Sequence, residues 1–467
     1  MNEREDIFKN PEIQVTINKY NDMLKKRTKY YFDVHEFENM IDFYASDFNF
    51  NKATEIVDFA SQQHPSSTII KFKKAQILID KGQTGRGIEL IEEIEGIEKW
   101  NNEIYILKGN AFAIDGDLSK ATQYYDRAIA LTIEDVGETM YNISVSLVHL
   151  CHFEYAIVYL KKALAYEPDN TTYIYDLAYC YEQMEDYDSC VKIYERYLDQ
   201  DPFSEHVWHN LGMVYAKIEK LENAAECFEF SIAINETYAT AHFNLANIYS
   251  NQNKYKKAIE QYKEFNKIED NNAFSHFYLG ECYEYLEEPE NALKHYLKAI
   301  EIEPNFSEAW FACANLYREQ DNAKKAIEYY KISVQLENTN TDYLYNYAEL
   351  NKELSRYEEA KELLQKLLHD DPSDDDAWIL YSEIFYEEGN LENASSILIE
   401  ALEKNNSNHK IYFRLAVYYY ILNRKQHFLT MFEKGLQFNY SAHHLFFDFF
   451  PTKITNRHIK RLLKKYK

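Results

Sequence analysis

Glycine and proline are scarce in this chain of 467 residues, 11 and 8 respectively, which leaves little material for turns beyond short connections between helices. No apolar run approaches the roughly 18 residues that a membrane-spanning helix needs, so no transmembrane helix is expected. The opening MNEREDIFKN carries no apolar segment, so no signal peptide is expected either. Cysteine is limited to six residues with no Cys-x-x-Cys pair, and these read as buried free thiols suited to a reducing cytoplasm. Positive charge is short as well: 51 Lys and Arg stand against 77 Asp and Glu, a net charge of −26. A nucleic-acid groove must meet phosphates with cations, so nucleic-acid binding by the body of the chain is disfavoured.

The few prolines are spaced regularly. The interval from Pro168 to Pro202 fits three times between Pro202 and Pro304 and twice between Pro304 and Pro372; Pro65 joins with a slip of one. A fixed period of this size, roughly 34 residues, marks stacked supersecondary units. Twelve units follow, starting at Val34, Thr68, Asn102, Gly137, Thr171, Glu205, Ala239, Ala273, Ser307, Thr341, Asp375 and His409, with Val136 as the one extra residue. Positions 8 and 20 of the unit are small in all but one case each, with Gly109, Gly212 and Gly280 in the first column and Ala224, Ala258 and Ala292 in the second. Positions 11 and 24 are mostly aromatic, as at Tyr215, Tyr283, Tyr262 and Tyr296.

Helices approach to about 8–10 Å only where small side chains let ridges settle into grooves. Positions 4, 7, 8 and 11 share one face of a first helix, and 20, 24 and 27 share one face of a second. Proline at position 32 ends the second helix and sets the turn into the next unit. The expected fold class is therefore all-α, a solenoid of helix-turn-helix repeats.

At these columns the chain resembles the tetratricopeptide repeat family. Trp208, Leu211, Gly212, Tyr215, Ala224 and Phe228 reproduce its pattern in residues 205–238. Leu279, Gly280, Tyr283, Ala292, Tyr296, Ala299 and Pro304 reproduce it in residues 273–306. The resemblance covers residues 34–442 and implies a right-handed superhelical α-solenoid with terminal capping helices. Residues 1–33 are expected to form an N-terminal helical cap, and 443–467 a basic C-terminal helix.

The resemblance also implies that positions 2, 5, 9, 12 and 13 of each first helix line a concave groove that holds a ligand. Position 5 carries Tyr141, Tyr175, His209, Phe243, Phe277, Phe311, Tyr345, Ile379 and Phe413 in units 4 to 12. Asparagines accompany the stripe at position 6 (Asn142, Asn210, Asn244, Asn346) and position 9 (Asn247, Asn315). Rings supply contact area at low entropic cost, and a carboxamide can both donate to and accept from a peptide backbone. The alternative is that the rings pack on one another across repeats. Units 8 to 11 add Glu281, Glu284, Glu308, Glu319, Asp342, Glu349, Glu353, Asp376, Glu383 and Glu387 at inward positions. The expected ligand is thus a protein or peptide, aromatic or polar at one end and basic at the other.

Catalytic patterns are missing. The glycine-rich loop Gly82 to Gly87 lacks the Lys-Ser/Thr ending of a phosphate cradle. His206 and His209 share a helix face without a third ligand at metal spacing. No enzyme activity, cofactor or metal is expected. Family members that grip chaperone tails use Lys at position 5, which no unit has here; Lys73, Lys410 and Arg414 are isolated matches.

The C-terminal segment departs from the rest. Lys453, Arg457, Lys460, Arg461, Lys464, Lys465 and Lys467 occur with no acid, and without them the chain holds 44 basic and 77 acidic residues, or −33. Ile459, Leu462, Leu463 and Tyr466 share a helical face. After Pro451 this reads as an amphipathic helix: a cap on unit 12, a plug for an acidic groove, or a contact with anionic lipid. The functional expectation is a cytoplasmic scaffold or adaptor, with homo-oligomers open. The alternative is an assembly subunit that uses outer or terminal surfaces, the basic helix serving to dock or autoinhibit.

Overall fold

The computed structural model describes residues 11–269, 272–404, 408–448 and 457–467. The chain divides into two compact units, one ending at Ile234 and the other starting at Asn235, and each contains six helix pairs. Among the described residues there is no strand.

In the first unit the leading helices of the pairs are Val34–Ser46, Thr68–Asp80, Asn102–Ile114, Val136–His149, Thr171–Gln183 and Glu205–Lys217. In the second they are Ala239–Asn251, Ala273–Tyr285, Ser307–Glu319, Thr341–Glu353, Asp375–Glu387 and His409–Ile421. Each second helix starts at position 17, from Phe50 in repeat 1 to Lys425 in repeat 12. One start is corrected. Repeat 4 begins at Val136 rather than Gly137: the extra residue is taken into the helix, which is one residue longer than the other first helices, and Asp135 ahead of it adopts a left-handed conformation (φ 56°).

Two local signals mark the boundaries. The residue before most first helices is Asp, Asn or Ser, and its side chain accepts from a backbone N–H of the first turn. Asp33, Asn101, Asn170, Asn272, Asn340, Asp374 and Asn408 all do so. Each such cap is worth about 1 kcal/mol. The second signal lies at position 15, where the chain reverses between paired helices. There φ is positive in every repeat, from 54° at Phe48 to 81° at Gly116 and Gly389. Only three of these turn residues are glycine; Glu185, Glu219 and Glu287 are among the others. A side chain in this region costs about 1–2 kcal/mol, and asparagine offsets part of that through local hydrogen bonds. Glu219→Asn is therefore expected to raise the urea midpoint, by a few tenths to about 1 kcal/mol in free energy; no change, or a fall, would deny that this turn stores strain.

The core of each repeat is the small column set against the rings. Ala258, Ala292 and Ala326 are fully buried beside Tyr262, Tyr296 and Tyr330. Cys180, Cys190, Cys227, Cys282 and Cys313 are buried as expected, and burial pushes their thiols up, to about 12 for Cys313. Cys151 is the exception: it occupies turn position 15 (φ 59°) and is exposed.

Helices flank the array at both ends. Pro11–Lys26 packs Ile13, Ile17, Tyr20 and Met23 onto the cluster of Phe32, Phe37 and Met40 in and beside repeat 1. The last helix, Arg457–Tyr466, buries Ile459 and packs Leu462, Leu463 and Tyr466 against the cluster that contains Phe428, Phe432 and Phe446. Lys465 pairs with Glu433 at 2.7 Å, the Tyr466 hydroxyl donates to Glu433 at 2.9 Å, and Gln437 donates to Tyr466 at 2.9 Å. The structure thus seats this helix on repeat 12. Residues 1–10, Pro451 and Lys453 lie outside the described residues. No helix among the described residues is long and apolar enough to cross a membrane.

Candidate functional site

Position 5 of the first helix is neither bare nor sunk. In the first unit Tyr141, Tyr175 and His209 are half-buried, as are Phe243, Phe277, Phe311, Tyr345 and Ile379 in the second. Phe413 is fully buried and leaves the stripe, since Gly435 opens the space its ring fills. His209, Phe243, Phe277 and Phe311 lean on the position 24 ring of their own repeat, and Phe243 and Phe311 also on an aromatic of the next. Phe311 packs on Tyr330 at 5.7 Å and stacks on Tyr343 at 4.5 Å. Phe243 meets Tyr262 at 5.8 Å and Tyr278 at 6.0 Å. Phe277 meets Tyr296 at 5.4 Å and Phe306 at 5.0 Å. In the first unit Tyr141 stacks on Tyr173 at 4.5 Å and donates its hydroxyl to Asp176 at 2.8 Å. His209 lies 5.5 Å from Phe228, and burial lowers its pKa. The stripe therefore joins repeats and still presents part of each ring.

The asparagines divide by role. Asn247 and Asn315 accept from the buried hydroxyls of Tyr262 and Tyr330, both at 2.5 Å, and Asn110 accepts from Tyr125 at 2.8 Å. Their oxygens are committed to the core, so what they offer a ligand is the NH2 group. Asn346 donates to the carbonyl of Asp342 at 2.8 Å, within its own helix. Asn142 is exposed, while Asn210 and Asn244 are half-buried.

The inward carboxylates divide as well. Arg318 bridges Glu349 at 2.8 Å and Glu353 at 2.5 Å; Lys352 bridges Glu383 at 2.6 Å and Glu387 at 3.3 Å. Arg414 pairs with Glu383 and Lys410 with Asp376, both at 2.7 Å. Lys73 is likewise held by Asp42 at 2.7 Å. Each of these bonds crosses from one repeat to the next. Of the carboxylates expected on an acidic ligand face through repeats 8 to 11, Glu349, Glu353, Asp376, Glu383 and Glu387 thus serve as struts between repeats. Glu281, Glu284, Glu308 and Asp342 form no ion pair with a described residue.

Those four carboxylates share a cleft of about 570 Å³ with Phe277, Phe311, Tyr285, Tyr296, Tyr343 and Asn315. The Tyr296 hydroxyl donates to Glu284 at 2.8 Å. Burial, and then the neighbouring Glu284, push the Glu281 carboxyl up to about 7. Protonated Glu281 thus contributes stability that is fully present below its usual range and is lost as pH rises through about 7.

The first unit has its own cleft, of about 620 Å³, between repeats 5 and 6. Tyr175, Tyr194 and Asn210 line it together with Tyr179 and Met213, which are each 45% exposed. Lys217 and Glu182 pair at its edge at 2.8 Å, so it carries no excess charge. Tyr179 and Met213 stand at position 9, where the sequence reading picked out asparagines and, in later repeats, Glu281, Glu349 and Glu383. A long apolar side chain at an inward position was the available signal. Among the described residues no group of three or more His, Cys, Asp or Glu is arranged to hold a metal.

Paired helices repeated at a fixed period, with small residues set against rings in the core of each repeat, define the class: an α-helical repeat array. Family models match inside this array. One, described as the cilia and flagella-associated protein 70 middle TPR-like domain, matches residues 174–337, and a tetratricopeptide repeat model matches residues 317–384 and 352–416. The chain is a tetratricopeptide-repeat protein. Similar solved structures include the C-terminal part of a TPR repeat-containing protein from Cytophaga hutchinsonii, 18% identical over 51% of this chain and 97% of that one (TM-score 0.43). A tetratricopeptide repeat protein from Parabacteroides merdae is 17% identical over 56% and 98% (TM-score 0.39). YrrB, described as a TPR protein with an unusual peptide-binding site, is 20% identical over 39% and 94% (TM-score 0.35). No curated protein sequence matches the chain.

Proposed function

We propose that the chain is a scaffold or adaptor whose inner faces hold an extended polypeptide segment. Within the first unit an apolar or aromatic side chain of such a segment enters the cleft of repeats 5 and 6; within the second unit, taken by itself, a lysine or arginine enters the cleft of repeats 8 to 10. One observation carries this reading. Rings and four carboxylates meet in the second cleft with no cation from the described residues, while Glu349, Glu353, Asp376, Glu383 and Glu387 are ion-paired. A ligand cation there gains both charge pairing and contact with ring faces.

The half-buried stripe makes alanine scanning at position 5 ambiguous, because Phe243→Ala or Phe311→Ala removes packing as well as a ligand contact. Substitutions at the exposed lip avoid this. Peptides selected on the wild-type chain from a displayed library should be enriched in lysine or arginine. Glu308→Gln with Asp342→Asn should weaken the selected peptide tenfold or more without moving the thermal midpoint. A bound cation favours ionised Glu281, so affinity should rise from pH 6 to pH 8, and Glu281→Gln should flatten that rise. Selection of peptides without basic residues, or affinities indifferent to the lip carboxylates, would sink the proposal.

A further inference from the structure

The C-terminal helix presents a second surface that the inner faces do not use. Its apolar residues Ile459, Leu462, Leu463 and Tyr466 are turned onto repeat 12. Arg457, Lys460, Arg461 and Lys464 follow one another at helical spacing on the other side, all exposed, and none forms an ion pair with a described residue. They run along about 10 Å of helix. This is a concentrated cationic face on a chain that is otherwise strongly acidic.

We propose that this face docks in the acidic cleft of repeats 8 to 10 of a second copy of the chain. Charge complementarity argues for that occupant: four cations on one short helix meet Glu281, Glu284, Glu308 and Asp342, which no cation of the described chain neutralises. The helix does not serve its own cleft, because Ile459 and the Lys465–Glu433 pair hold it on repeat 12. Nor has it an apolar face left to enter a bilayer, since that face is spent on the repeat. Helix and cleft are different surfaces, so the contact is heterologous and propagates head to tail unless the rotation closes a ring. A polar contact of one short helix is small, which makes the association weak, reversible and sensitive to salt. The proposal uses the same cleft as the peptide reading but does not require an outside ligand.

Two charge reversals test it in the full-length chain by sedimentation velocity. Lys460→Glu/Arg461→Glu/Lys464→Glu reverses the helix, and Glu308→Lys/Asp342→Lys reverses the cleft. Wild type should grow in mass with concentration, each variant alone should lose this at least tenfold, and an equimolar mixture of the two should regain it. The regain is decisive, because it cannot come from variants that fail to fold. A wild type that stays monomeric across the concentration range overturns the proposal, as does association that both variants retain. So does a monomeric wild type that binds phosphatidylserine vesicles through the same lysines, which would assign the face to lipid. Peptide capture at the neutral cleft of repeats 5 and 6, measured on the same variants, reports separately on the peptide reading.

Discussion

Gly280→Ala is expected to destabilise the second unit by about 1–2 kcal/mol, although alanine is the better helix former. Two effects oppose each other. Glycine within a helix costs about 0.5–1 kcal/mol relative to alanine, while forcing atoms into a filled core costs about 1–3 kcal/mol. The second wins here because of what the new methyl would meet. A Cβ at Gly280 would stand 2.5 Å from Cδ1 and 2.9 Å from Cζ of Tyr296, and closer still to Cε1. That ring has little room to swing, being 1% exposed and tied by its hydroxyl to Glu284. It also lines the acidic cleft, so its displacement should weaken basic peptides as well as lower the urea midpoint. Ala314→Gly, at the same column beside Tyr330, is the control and should cost the helix penalty plus the loss of one buried methyl. A midpoint that rises in Gly280→Ala would show that the ring yields.

Deleting the residues from Arg457 onward is expected to cost about 3–6 kcal/mol, confined to the end of the array. One fully buried aliphatic and three partly buried side chains leave the cluster, at about 1.5–3 kcal/mol for each complete burial. In a stacked array each repeat gains stability from its neighbours alone, so the loss should stay local. Hydrogen exchange should show His409–Ile421 and Lys425–Phe438 opening while Ala273–Tyr285 keeps its protection. Uniform loss of protection through the second unit would mean that its repeats unfold as one block. Unchanged protection in repeat 12 would mean that the helix stabilises nothing.

Much of the fold was legible because it is periodic. Small residues at positions 8 and 20 and rings at 11 and 24 fix which faces meet, and eleven of twelve first helices begin where the columns place them. The site was legible only in outline. At position 5, Tyr175, Phe277 and Phe311 line clefts, but the half-burial of these rings depends on the neighbouring repeat, as with Tyr343 against Phe311. Asn247 and Asn315 looked like ligand contacts, yet half of each carboxamide serves a core tyrosine fifteen residues on. The acidic run was read incompletely for a similar reason, since charge counting along one helix ignores the cation one repeat away on either side. A signal was present in the spacing: Arg318 precedes its glutamates by 31 and 35 residues, and Lys352 precedes its own by the same intervals.

The two boundary signals have a consequence for how such a chain can change length. The left-handed residue at position 15 recurs in every period, and a capping side chain stands before most first helices. Any stretch one period long, wherever it starts, therefore carries one such turn and in most repeats one cap, and duplicating or losing it leaves the reading frame of the array intact. Unequal exchange between neighbouring copies within a unit would yield a chain already equipped to fold, its helix ends specified without reference to distant sequence. The single extra residue of repeat 4 shows where this grammar allows an error: at the N-terminus of a first helix, Val136–His149, which is one residue longer than the others while the connection before it keeps four residues.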